Sequence, residues 1–188
     1  MVMKRFAIVI GIAILIAGLI WYFVFSSITE RHEAAGSDAT EASSWTWENP
    51  YTFKQAVIPS DWEKVDNEHL RDAVLALQHV SGKCLIYITY DESVNNLSLP
   101  EYIDAVKPMN EKEFGVSEFA ETTGKDARQV YQAQGAKYMG DSLVGVDIRI
   151  WGDGSNGYWE TVVMTNMEYK TIEYDARELV EILTETTL

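Results

Sequence analysis

Residues 143–151, LVGVDIRIW, alternate in character. Val144, Val146, Ile148 and Ile150 fall on one side, and Gly145, Asp147, Arg149 and Trp151 on the other, which is the period of a half-buried strand. The turn-rich GDGSNG at 152–157 follows, and YWETVVMTNM at 158–167 is a return strand, so the segment predicts a hairpin. Pairing Ile150 with Trp159 sets Val146 opposite Val163, Arg149 opposite Glu160 and Trp151 opposite Tyr158. In that register apolar and charged pairs agree. Ile172, Ala176, Leu179 and Leu183 then form one apolar stripe of a helix over 171–183, with Glu173, Arg177, Glu178 and Glu181 pointing away. A second helix starts at Ser98, where Ser98 and Glu101 have capping-box spacing and Pro100 lies in the first turn. It carries Tyr102, Ile103 and Val106, and Pro108 is expected to end or kink it. Further strands are predicted at 51–57, 84–90 and 127–133. Residues 73–80 fit either a helix running on from Asn67, with Gly82 just past its end, or a strand hairpinned to 84–90 through Ser81, Gly82 and Lys83. The sum is an α+β class: an antiparallel β-sheet packed on one face by helices.

Before this alternating part lies a run of a different kind. From Phe6 to Phe25 no residue is charged, and as a helix the run spans roughly 30 Å, the thickness of a hydrocarbon core. Lys4 and Arg5 precede it, while Glu30 and Glu33 flank Arg31 after it. The positive-inside rule therefore predicts a single-pass anchor in the cell inner (plasma) membrane. Residues 1–5 form a cytoplasmic tip, 6–25 the transmembrane helix, 26–44 a flexible acidic linker, and 45–188 a periplasmic or extracellular domain. A cleaved signal peptide is the competing reading. Its apolar core is shorter and ends in a small-residue cleavage site, which FVFSSIT does not offer.

Charge narrows the partners. Past position 25 there are 13 basic and 29 acidic residues, a surface that repels phosphate backbones and argues against nucleic acid. The single cysteine, Cys84, excludes an internal disulfide. It shares a strand face with Ile86 and Ile88 and is expected to be a small core residue rather than a reactive thiol.

Catalytic signatures are missing. Neither GxGxxG nor GxxxxGK[ST] occurs, and no GxSxG turn marks a nucleophile. His69 and His79 have no zinc-ligand spacing. Asp153 opens a stretch with some calcium-loop character but the wrong spacing and no twelfth-position glutamate, so a plain turn is expected. No catalytic residue, metal ligand or cofactor is assigned. Trp151 and Tyr158 have two readings. In the register above they sit beside Arg149 and Glu160 as exposed aromatics ringed by charge, a recognition surface. Alternatively they cover the hairpin end or pack under a loop. Trp62 and Trp159 are expected in the core.

The order of elements resembles the PsbP-like fold. Tyr51-Thr52-Phe53 followed by Ile58, Pro59 and Trp62, the strand at 84–90, the helix start at Ser98 to Tyr102, the aromatic final hairpin and the closing helix carry the resemblance. It favours the hairpin for 73–80. It implies a binding, assembly or stabilising role rather than chemistry, and it transfers no metal ligand. The expectation is a non-catalytic, membrane-anchored accessory module with a protein partner in a membrane or envelope complex. The alternatives are a small-ligand or cation sensor using a cleft between sheet and helices, and an anchored hydrolase whose site assembles in space from His69 or His79, a serine and a carboxylate.

Overall fold

The computed structural model describes residues 44–65, 72–92, 97–124, 127–154 and 157–187. The expected anchor, most of the linker, and His69 lie outside them. Among the described residues no helix is long and apolar enough to cross a membrane. The elements are β1 (Trp45–Glu48), β2 (Gln55–Ile58), β3 (Trp62–Lys64), β4 (Ala73–His79), β5 (Cys84–Asp91), α1 (Leu99–Phe114), β6 (Ala120–Thr123), β7 (Gln129–Met139), β8 (Ser142–Gly152), β9 (Tyr158–Asn166) and α2 (Lys170–Glu185). β1 and β2 form a two-stranded sheet. The other strands make a seven-stranded sheet in the order β3-β4-β5-β9-β8-β7-β6, with each pairing antiparallel.

The α+β class and the antiparallel sheet are as expected, but the helices do not share a face. The central strand β9 is buried at all nine positions, because successive side chains enter two different cores. Trp159 and Val163, with Trp151 from β8 and Cys84, Ile86 and Ile88 from β5, join Ile172, Ala176, Leu179 and Leu183 of α2. Tyr158, Val162 and Met164, with Ile148, Ile150 and Leu85, join Tyr102, Ile103 and Phe114 of α1. One helix covers each face. Large residues on both faces of β9 demand this arrangement, since a sheet covered on one side only would leave one set in water.

The hairpin register is offset by one residue from the expected one. Trp151 pairs with Trp159, Ile150 with Glu160, Arg149 with Thr161 and Val146 with Met164. A slip of one residue exchanges the faces of a whole strand, and here the turn sets it. Asp153 N–H donates to Gly157 O at 3.0 Å, and Gly157 N–H donates to Asp153 Oδ1 at 3.1 Å. Asp153 therefore faces Gly157, and the pairing follows from there.

Other elements refine the expectations. Residues 73–80 take the hairpin alternative, β4 pairing with β5 through a turn in which Gly82 has φ 69°. The first strand expected at 51–57 begins only at Gln55. Residues 49–54 are instead a turn, held by Asn49 N–H to Lys54 O and Phe53 N–H to Asn49 O, both 2.8 Å. The strand expected at 127–133 starts at Gln129 and runs to Met139. Ser98 caps α1 as expected, its N–H and Oγ each donating to Glu101 Oε2 at 2.7 Å. Pro108 does not end that helix, which continues to Phe114 and closes at left-handed Gly115. Tyr102, Ile103, Asn110 and Phe114 all bury against the sheet, so docking on both sides of Pro108 holds the helix together despite the lost hydrogen bond.

Candidate cleft between the sheet and the closing helix

α2 packs over β5, β9 and β2, so beyond its far edge the same face of β8, β7 and β6 forms one wall of a cleft. The cleft holds about 500 Å³ and is lined by Thr122, Arg128, Gln132, Arg149, Glu181 and Glu185, with Trp151 at its base. Strand periodicity brings these groups together. Gln132 pairs with Arg149 and Val130 with Trp151 in the β7–β8 ladder, so their side chains project to one face. Glu181 and Glu185 are one helical turn apart and face the same space.

A polar network orders the cleft. Arg149 Nη1 donates to Glu181 Oε1, joining β8 to α2, and its Nε lies 3.7 Å from Asp147 Oδ1. Asp147 also accepts from Gln132 Nε2 at 2.9 Å and Gln134 Nε2 at 3.0 Å. The Arg128 guanidinium stands 6.0 Å above the Trp151 ring, within the range of a cation–π contact. Trp151 is 1% exposed and donates its indole N–H to Thr187 Oγ1 at 3.0 Å. The rim thus presents guanidinium, carboxylate, amide and hydroxyl groups of both polarities. Such a lining can recognise a polar side chain or small polar molecule by hydrogen bonding, and among the described residues it contains no histidine or cysteine.

Of the four residues singled out in the sequence, Arg149 and Trp151 belong to this cleft, while Tyr158 and Glu160 lie on the opposite face of the sheet. The exposed aromatic surface does not form, because the one-residue register difference separates its members and both rings are buried. Tyr158 stacks on Tyr102 of α1, with centroids 4.2 Å apart and planes 11° apart, and donates its hydroxyl to Leu97 O. Glu160 is 8% exposed. Burial, the nearby Glu113 and Asp91 carboxyls adding to it, pushes its own up to about 7 despite a hydrogen bond from Asn110. No sequence pattern singles out Arg128, Gln132 or Glu185, and Glu181, expected to point away with the polar face of the closing helix, instead reaches Arg149. These residues are up to 57 positions apart and share no motif.

Two sequence motifs resolve as structural. Asp153 Oδ1 accepts from Gly157 N–H and Oδ2 from the Tyr90 hydroxyl, so its carboxylate stitches the turn to β5. Cys84 is 1% exposed, with Sγ 3.1 Å from Thr165 Oγ1, and burial pushes its thiol up to about 12. Among the described residues no group of three or more His, Cys, Asp or Glu side chains is placed to hold a metal ion.

A serine, a histidine and a carboxylate do converge at the β4–β5 turn. His79 Nδ1 lies 2.7 Å from Ser81 Oγ, and its Nε2 lies 3.4 Å from Asp61 Oδ2. The same Nδ1 also accepts from Ser81 N–H at 3.2 Å, and Lys83 N–H donates to Ser81 Oγ at 3.3 Å. The serine is thereby folded back into its own turn, and none of the three residues lines the cleft above. The arrangement closes a hairpin and ties it to the loop before β3.

No protein-family model matches the chain, and no curated protein matches it in sequence. Solved structures do. Cyanobacterial PsbP (CyanoP) from Synechocystis sp. PCC 6803 is similar over 79% of this chain and 96% of its own, with 11% identity and a TM-score of 0.54. LpqN, described as involved in cell envelope biogenesis of Mycobacterium tuberculosis, aligns over 76% of this chain and 83% of its own at 12% identity and a TM-score of 0.46. PA94 of Pseudomonas aeruginosa, a protein of unknown function, aligns over 77% and 95% at 10% identity and a TM-score of 0.44. The likeness to CyanoP shows the fold, which is PsbP-like.

Proposed function

We propose that this chain is a non-catalytic accessory module, anchored through residues 6–25 in the inner (plasma) membrane, whose PsbP-like domain outside the membrane binds a protein partner of a membrane or envelope complex. The observation that carries the reading is the ordered polar cleft between α2 and the β6–β7–β8 wall, in which Arg149 is held by Glu181 and Asp147. Side chains fixed in this way present recognition groups at low entropic cost. The apolar run before the domain supports the anchor.

The cleft also supports a second reading, a small polar ligand seated among the same residues. Crosslinking and affinity purification of the full chain from native membranes separates the two, with Arg128→Ala and Arg149→Ala variants in parallel. A defined membrane-complex partner, recovered with the wild type and lost with folded variants, supports the accessory module at this cleft. A partner retained by both variants moves the contact elsewhere on the domain. Recovery of the wild-type chain alone overturns the partner-binding reading in favour of the small ligand.

A further inference from the structure

Beneath α1, the central strand carries an ionisable side chain paired with an amide rather than a cation. Glu160 accepts from Asn110 Nδ2 across 3.4 Å, a long contact for a hydrogen bond. Asn110 is fully buried, and its Oδ1 has no hydrogen-bond partner. Three residues further along α1, on the same helical face, Glu113 is half-buried. Burial pushes its carboxyl up to about 7, with Lys137 pulling in the opposite direction. Lys137 reaches across from β7, its Nζ donating to Glu113 O at 2.7 Å. The other titratable groups acting on this layer are Asp91 and Tyr87 of β5, Tyr102 of α1 and Tyr158 of β9. Among the described residues the cation acting on this pair of carboxyls is Lys137, and it acts on Glu113 rather than on Glu160.

We propose that Glu160 and Glu113 form a proton-operated latch, which holds α1 on the sheet while the two carboxyls carry protons and loosens it when they ionise. A neutral Glu160 is an uncharged polar group beside an amide, which the interior tolerates. An ionised one is a buried anion facing a second anion, with only an amide hydrogen to compensate. Undocking α1 exposes both groups to water, so the open form loses its protons at ordinary carboxyl values while the docked form keeps them to about neutrality. Opening is therefore favoured as pH rises, and α1 responds while α2 on the opposite face does not.

The test is hydrogen exchange with mass spectrometry on the full chain in a mild non-ionic detergent at pH 6 and pH 8, corrected for intrinsic exchange rates. For a carboxyl titrating near 7 when docked and near 4.5 when free, opening increases about tenfold across this range. Protection of Leu99–Phe114 is expected to fall about a hundredfold in the wild type, about tenfold for each carboxyl, while Lys170–Glu185 keeps its value. Glu160→Gln and Glu113→Gln should each remove about a factor of ten from that response. Equal protection of α1 at both pH values overturns the latch. So does a loss shared equally by α2, or a response that both variants leave intact.

Discussion

The Tyr90 hydroxyl donates to Asp153 Oδ2 at 2.6 Å, so one hydrogen bond fastens the β8–β9 turn to the end of β5. The same ring lies 4.6 Å from Trp159 and 4.4 Å from Tyr51, centroid to centroid. Burial, reinforced by this hydrogen bond and the Asp153 charge, raises the phenol well above its usual value. The hydroxyl thus stays a donor, and the turn that dictates the hairpin register is braced by a residue more than sixty positions earlier.

Gly157 lies directly under that ring. A Cβ there would stand 2.2 Å from Tyr90 Oη and 2.4 Å from Cζ, far inside any tolerable contact. Gly157→Ala is expected to displace Tyr90 and lower stability by about 1–3 kcal/mol. Urea unfolding followed by tryptophan fluorescence checks it, and a midpoint equal to the wild type's contradicts the contact.

Glu160 makes a prediction about overall stability whose sign is opposite to that of a salt-bridged carboxylate. Its folded-state value, about 7, lies above the unfolded one. Between about pH 4.5 and 7 the folded chain therefore binds more protons than the unfolded chain. The contribution is fully present at lower pH and is lost as pH rises through 7. Glu160→Gln should leave stability nearly unchanged at pH 4 and raise it at pH 8, by up to the order of 3 kcal/mol. Comparing variant with wild type cancels the general repulsion of the acidic surface. No gain at pH 8 would mean that the carboxylate finds compensation.

Cys84 should behave as an inert core thiol. With the thiol pushed up to about 12 and almost no exposure, iodoacetamide is expected to label the native chain at least a hundredfold more slowly than the urea-unfolded chain. Comparable rates would show that the sheet opens readily around the start of β5.

The Ser81, His79 and Asp61 arrangement distinguishes an accessory module from a hydrolase. Since Ser81 Oγ and Nδ1 of His79 are both engaged by turn N–H groups, a fluorophosphonate probe is expected to leave Ser81 unmodified at neutral pH. Ser81→Ala should cost about 1 kcal/mol through the lost turn contacts. Stoichiometric labelling of Ser81, abolished by His79→Gln, would support the hydrolase reading.

Features that depend on local chemistry were legible in the sequence. The capping box at Ser98, the buried stripe of α2, the core position of Cys84 and the strands β5, β8 and β9 all follow from period, capping and turn residues within about a dozen positions. The α+β class follows from their order. What tertiary structure decided was every choice between two faces or two partners. Trp151 and Tyr158 looked like companions on a polar face. The Asp153–Gly157 turn shifted their strands by one residue and sent the rings into different cores, because a strand's side chains change face at each step. Pro108 looked like a stop, yet contacts on both sides of it carry α1 through. The cleft joins Arg128 from the loop before β7, Arg149 from β8 and Glu181 from α2, so no local pattern could reveal it; only the stacking of α2 over part of the sheet brings those charges together.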